Sequence, residues 1–450
     1  MVERYKLYYW IFVVTFWVTY CWGFVAEEFC PPLTSVSNAV TTLGEFTIFA
    51  LGIITVRKTG DVVILVSYFV LAFLSTIMVN HIPVGTMING TREFVGLLCV
   101  VPILRYFLTS EYRAEFRRKM DRQLEIWLWI QAFCVTEQFL RYGANDHGGG
   151  SMGNGSSGLV SMSIYFISFY LVSRRWDADN YFRSLKENIK YIILLYPSFL
   201  NETKISFILF VCYFALLMKF DKRLLLKTIY IVPASAIALV GVGWAYFEAT
   251  EQDADRVLSE EFFTDYLYGA DLGEVVDMAI MVQTGEMEVD PSQWWTVDVP
   301  RFAKLVLISP ILEEEPGGTL LGAGVGQFKG AASGSQTRFA KMNQWVLNAT
   351  RPMLFEIFVQ LGYLGLVWYF CTICYRLFTR NRRHPLSRQI QVLFGVATFV
   401  MLFYNQAFAI LQFCLTAFYI TTVLKYWGNG CELDSDGEEP EKKLNPVETK

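Results

Sequence analysis

Lys204, Arg301, Arg338, Lys341 and Arg351 are the side chains of this 450-residue chain best suited to hold a phosphate. Lys204 sits in the turn Asn201–Lys204, Arg301 on a predicted helix over 299–312, and Arg338 and Lys341 flank a Gly/Ser stretch. Arg351 immediately precedes Pro352 at the mouth of an apolar run. A fixed cation beside a membrane surface suits a lipid-borne diphosphate, because charge-assisted hydrogen bonds to phosphate oxygens are short and strong. Plainer readings stay open. Lys204 also fits a lysine snorkelling to the interface, and Arg338 and Lys341 fit solvated loop charges.

Carboxylates are the chain's remaining acid–base groups. Glu313, Glu314 and Glu315 lie between the predicted loop helix and a glycine-rich turn, with Glu314 the candidate base; Asp298 and Glu356 are alternatives. Three consecutive glutamates also describe a solvated helix end. Glu356 lies one turn inside an apolar span, where an unpaired carboxylate is costly and a cationic partner is expected. Trp294, Trp295 and Trp345 fit sugar stacking and equally fit interfacial anchors.

The run Gly317, Gly318, Gly322, Gly324 and Gly326 is not followed by Lys-Ser/Thr and lacks a strand–turn–helix setting, so it is no nucleotide loop. It implies a tight turn or close approach to a ligand, which makes Gly324 and Gly326 candidate substrate contacts. The three histidines are His81, His147 and His384, and the nine cysteines show no paired spacing. Cys371 and Cys374 share a predicted helix without further ligands nearby, so they read as small apolar residues in a packed helix, and no metal or cofactor is expected.

The elements that must position these residues are membrane helices. The chain is 54% hydrophobic and 18% charged, more apolar and less charged than a soluble domain. Twelve spans fit the hydropathy, near 8–25, 37–56, 62–80, 93–109, 124–141, 158–173, 188–200, 205–220, 224–247, 352–376, 390–404 and 406–424. The first reads as a retained helix, not a signal peptide. With both termini cytoplasmic, the inner loops collect most of the 38 Lys and Arg residues, as the positive-inside rule requires. The outer side keeps Arg92, Arg141, Lys204 and the basic residues of one long loop.

That loop, 248–351, is too long for a connection and too apolar in patches for disorder. It reads as an amphipathic helix over 253–284, then the helix over 299–312. The latter has Phe302, Leu305, Val306 and Ile308 for an apolar face, and Pro310 kinks or caps its end. Residues 143–158 read as a flexible Gly/Ser-rich outer loop, and 428–450 as a disordered cytoplasmic tail. The organisation is therefore 1–247 transmembrane, 248–351 extracytoplasmic and catalytic, 352–427 transmembrane, and 428–450 tail.

Arg301 through Phe370 resembles the shared C-terminal signature of O-antigen ligases and Wzy-type O-antigen polymerases. In that family a basic loop helix leads to a P-x-x-G-x-G-x-G-x-F type turn, then H-N-x-x-L, an acidic residue and G-x-x-G inside the next span. Here the turn reads LLGAGVGQF (Leu320–Phe328) and the span RPMLFEIFVQLGYLGLVWYF (Arg351–Phe370). Arg351 falls where the family usually has its histidine, and Gln360 where a glutamate is common. Asn201–Lys204 resembles the family's second basic site, a short outer turn.

The resemblance implies an all-α, GT-C-like membrane glycosyltransferase of about twelve spans in the bacterial inner membrane, without nucleic acid. Its donor would be an oligosaccharide on undecaprenyl diphosphate, and a chain-length regulator and a flippase would be partners. Lys204, Arg301 and Arg351 would clamp the departing diphosphate, with Arg338, Lys341, Trp345, Gly324, Gly326 and Glu356 around the substrate. Arginine stays protonated and makes a poor base, so its place at the histidine position favours a polymerase over a ligase acting on lipid A core. A transporter or flippase is the rival from another class, and predicts related halves and broken helices.

Overall fold

The computed structural model describes residues 2–143, 148–177, 180–201, 205–217, 299, 301–329, 336–348, 351–377 and 386–426. Those residues form helices and connections, with no strand among them. The chain is an all-α membrane protein. Among the described residues five helices are long and apolar enough to cross a bilayer, namely Glu3–Phe29, Pro31–Thr55, Thr59–Val79, Val84–Leu108 and Met353–Leu377.

The first of these is α1 (Val2–Phe24), extended by a π turn; α2 (Ser37–Thr55) follows. The next is α3 (Thr59–Phe73), extended by a π-helical turn, Leu74–Val79. After a break at 80–83 come α4 (Val84–Thr91) and α5 (Val95–Leu108). Then α6 (Arg113–Tyr142), α7 (Ser157–Ser173), the short α8 (Tyr181–Glu187), α9 (Ile189–Ile193) and α10 (Pro197–Leu200), and α11 (Ile205–Leu217) complete the N-terminal part. The expected spans fall on helix with three exceptions: 188–200 is two short helices split by a turn, 205–220 is described only to Leu217, and 224–247 lies outside the described residues, as does the expected helix over 253–284.

The apolar pattern explains the layering. Nearly all of α5 and the whole of α7 are buried, so these two form the centre. Neighbours approach them through small residues. A Cβ on Gly52 of α2 would lie 2.3 Å from Cys99 Cβ of α5, the close backbone contact that membrane helices use in place of a hydrophobic drive. The outer helices turn apolar side chains outward, among them Val14 and Val18 of α1, Val63, Val66 and Val70 of α3, and Leu364 and Val367 further on. An apolar exterior over a packed interior is what hydrocarbon solvent permits.

Contacts sort the connections to two ends of the bundle. At one end Asp61 holds Arg105 and Arg376, Tyr5 packs on Tyr112, and Tyr419 donates to the Arg117 carbonyl. At the other, Glu28 pairs with Arg141 and Asn80 bonds Gly322. Residues 148–158, the described part of the expected Gly/Ser-rich loop beyond Gly143, are largely buried. Gly150–Met152 form a 3-10 turn whose Gly150 and Ser151 are buried, and Ser151 bonds both the Tyr20 carbonyl and Gln131. A buried backbone must have partners, and the side chains of Gln131 and Gln138 supply them.

The C-terminal part contains α12 (Arg301–Glu313), the short α13 (Gly318–Leu321), α14 (Arg338–Met342) and α15 (Gln344–Leu347), then α16 (Met353–Leu377), α17 (Ser387–Tyr404) and α18 (Leu411–Tyr426). Two sequence expectations change here, the apolar face of α12 and the packing of Cys371 and Cys374. The buried face of α12 is Ala303, Leu307, Ile308, Ile311 and Leu312, whereas Val306 is 60% exposed. Pro310 lies inside the helix, which runs on to Glu313. Cys371 and Cys374 are exposed on α16 and not packed between helices.

Candidate polar site beneath the glycine turn

Residues 317–329 enter the bundle between the break after α3 and the first half of α16. The backbone of α16 leaves the helical conformation at Gly362 (φ 62°), which frees carbonyls upstream. Ala323 N–H donates to Val359 O (2.7 Å) and Gly324 N–H to Gln360 O (3.1 Å). Asn80 clamps the turn from α3's side, donating to Gly322 O and accepting from Gly317 N–H, while Thr76 Oγ1 accepts from Val325 N–H. Irregular backbone inside a membrane protein survives only when protein groups satisfy it.

The glycines answer a demand of packing. A Cβ on Gly326 (φ 102°) would lie 2.6 Å from Thr86 O, and one on Gly362 would lie 2.4 Å from the Leu320 carbonyl carbon. Gly324 and Gly326 are buried against protein, with Ile82 and Thr76 nearest the first and Thr86 nearest the second. The turn is thus a wedge that fixes what lies at its end.

At that end stands a polar cluster. Gln360 is fully buried; its Oε1 accepts from Gly326 N–H (2.7 Å) and its Nε2 donates to Glu93 Oε2 (2.7 Å). The Glu93 and Glu356 carboxyls are neighbours, both buried, and Arg351 and Lys329 are the cations acting on Glu356. Glu356 Oε2 receives no hydrogen bond from the described residues. Lys329 pairs with Glu45 (3.0 Å), which also holds Arg92, and Arg92 donates to Asn89 Oδ1 (2.9 Å). The Arg351 guanidinium lies 4.3 Å from the centre of the Phe328 ring, a cation–π seat that orients it. Three carboxylates and three cations therefore share one polar region under the glycine wedge.

The remaining sequence candidates fall elsewhere. Lys204 lies outside the described residues, although Asn201, which opens its turn, is buried and bonds Ser157 O and Ser161. Arg301 is half-buried at the start of α12. One turn later the fully buried Lys304 donates to the Asn348 carbonyl, tying α12 to the segment that leads to Arg351. Arg338 and Lys341 are exposed. Trp345 is buried in the core between α12 and α16 and offers no open face for a sugar. Glu313 and Glu314 are exposed; burial pushes the Glu315 carboxyl up, with Arg338 opposing and Glu314 reinforcing the shift.

Glu93, Glu45, Lys329 and Lys304 were not singled out by the sequence. The signal was present for the first two. A glutamate inside an apolar span is a functional candidate by its desolvation cost alone, and Thr91-Arg92-Glu93-Phe94 and Gly44-Glu45-Phe46 are such interruptions. Lys304 gave no comparable signal, because a lysine between apolar residues on a loop helix is ordinary. Comparison of the chain with protein-family models, with curated proteins and with solved structures gives no match.

Proposed function

We propose that this protein is a twelve-span bacterial membrane glycosyltransferase that polymerises a surface glycan. It would transfer the growing chain from undecaprenyl diphosphate to a hydroxyl of an acceptor repeat unit, at the outer face of the inner membrane. The observation that carries the reading is Glu356, a buried carboxyl with one oxygen lacking a hydrogen-bond partner among the described residues, flanked by Glu93 and by the cations Arg351 and Lys329. The motif resemblance of Leu320–Phe328 and Arg351–Phe370 supports it.

In this reading the acceptor hydroxyl attacks the anomeric carbon and its proton passes to a carboxylate. The C–O bond to the diphosphate breaks, and the diphosphate leaves with the electron pair. Stabilising that developing charge is the larger requirement. Arg351 takes this part, with Lys329 as the second cation acting on Glu356. The base role goes to Glu356, with Glu93 as its partner, and not to Glu314, whose exposure leaves it solvated. Gln360 is a positioning residue that holds Glu93 against the glycine wedge.

The test is turnover by the purified protein in vesicles, supplied with an undecaprenyl-diphosphate-linked repeat unit. Release of undecaprenyl diphosphate with glycan lengthening is expected from the wild type. Glu356→Gln and Arg351→Ala should each lower the rate by on the order of 10²-fold or more. A rate unchanged in both variants would remove this site from the chemistry.

One observation favours a second reading, a lipid or polysaccharide transporter. The break in α16 at Gly362 and the carboxylates within apolar spans are features transporters share. Movement of the labelled lipid between leaflets, without lengthening of its glycan, would select it.

A further inference from the structure

The end of the bundle opposite the glycine wedge carries its own cationic site, used by nothing in the reading above. Asp61, at the start of α3, is 1% exposed and binds two guanidiniums, Arg105 of α5 through Oδ2 and Arg376 of α16 through Oδ1. One carboxylate thus faces two buried cations. The Nε atoms of Arg105 and Arg376 are buried and find no acceptor among the described residues. A third arginine, Arg57, stacks on Tyr106 with its guanidinium 5.0 Å from the ring centre, and Lys58 is exposed beside it. Lys425 of α18 lies close enough for Lys58, Arg105 and Arg376 to act on it electrostatically.

Of these groups Arg57, Lys58, Asp61 and Arg105 line a cavity of about 270 Å³, together with Tyr106 and Thr109 among others. Three cations and one carboxylate thus line this cavity at a low-dielectric edge, and a fourth cation, Arg376, is bonded to the same carboxylate. Like charges repel strongly there unless an anion joins them. The adjoining surface is apolar. Val62, Val63, Val66 and Val70 are exposed along α3, and a second hollow of about 430 Å³ follows the same helix between Leu65 and Leu74.

We propose that this cavity binds a phosphate group, and that the phosphate is the headgroup of an anionic lipid whose acyl chain lies along α3. Arg57 and Lys58 hold the phosphate at the rim, and Arg105 reaches it from below while remaining bonded to Asp61. Basic pockets between membrane helices recognise lipid headgroups in this way. The proposal is independent of the glycosyl-transfer reading, because no residue of the polar site beneath the wedge takes part.

The test is native mass spectrometry of the full-length protein with phosphatidylglycerol and, separately, diacylglycerol, which has the same chains and no phosphate. The wild type should retain phosphatidylglycerol over diacylglycerol. The double variant Arg57→Ala/Lys58→Ala should lose on the order of tenfold in that retention. Both positions are exposed, so the variant should keep its helical content and its elution volume. Displacement of the lipid by millimolar inorganic phosphate would keep the phosphate site but assign it to a soluble ligand. Resistance to displacement assigns it to the lipid. Equal retention of the two lipids, or full retention by the double variant, would overturn the proposal.

Discussion

Gln360 shows how much one side chain can fix. Its amide oxygen satisfies Gly326 N–H and its amide nitrogen holds Glu93, so a single rotamer couples the glycine wedge to the carboxyl pair. Gln360→Ala leaves both partners buried without it. We expect a loss of about 1–3 kcal/mol per orphaned group, read as a lower thermal unfolding midpoint in detergent, together with lost turnover. Glu356→Gln should instead abolish turnover with little change in that midpoint, since the carboxamide preserves size and adds a donor facing Glu93. Much of this site was legible in the sequence. Arg351 and Glu356 were identifiable from their place at the start of an apolar span, and Gln360 from its register with Gly362. Glu93 and Glu45 carried the same signal, as carboxylates in apolar spans, but which carboxylate meets which cation was not legible, because it depends on how α2, α4 and α16 pack. Trp345 illustrates the converse, a tryptophan with a plausible ligand role that the core absorbs.

At the scale of elements, the decisive features are two interruptions that meet. The chain breaks after the π turn of α3, and α16 departs from helix at Gly362; the wedge 317–329 fills the space between and bonds to both. Gly362→Ala tests that coupling. The positive φ alone costs a side chain about 1–3 kcal/mol, and the Cβ would also collide with the Leu320 carbonyl. Expected is protein that inserts but unfolds at lower temperature and lacks turnover, since the wedge carrying Phe328 and Lys329 must shift. Five spans, those over Glu3–Phe29, Pro31–Thr55, Thr59–Val79, Val84–Leu108 and Met353–Leu377, were readable from hydropathy because each is a long apolar run. The face of α12 was not, because Lys304 is buried where a lysine is ordinarily solvated, which turns the helix from the face its apolar pattern suggests. Residues 150–152 escaped notice for a related reason. Glycine and serine lack apolar surface, so their burial rests on hydrogen bonds to Gln131 and Gln138 that no local pattern announces.

Over the whole molecule, charge divides the bundle. The end carrying Arg57, Lys58, Arg105 and Arg376 is the end the positive-inside rule assigns to the cytoplasm, and the glycine wedge lies toward the other. Cysteine accessibility checks this. In a background without native cysteines, Ser35→Cys should react with a membrane-impermeant thiol reagent in intact spheroplasts. Lys58→Cys should react only after permeabilisation, and the reverse pattern would invert the topology. In that topology the polar site faces the outer side, as the proposed polymerase working on an outer-leaflet donor requires. The most direct test of that activity is deletion of the gene in its host, followed by electrophoresis of surface glycan. We expect the deletion strain to keep glycan of one repeat unit and lose every longer band. Wild-type protein should restore the ladder, while Glu356→Gln present at equal membrane levels should not. An unaltered ladder after deletion, or full restoration by Glu356→Gln, would contradict the account.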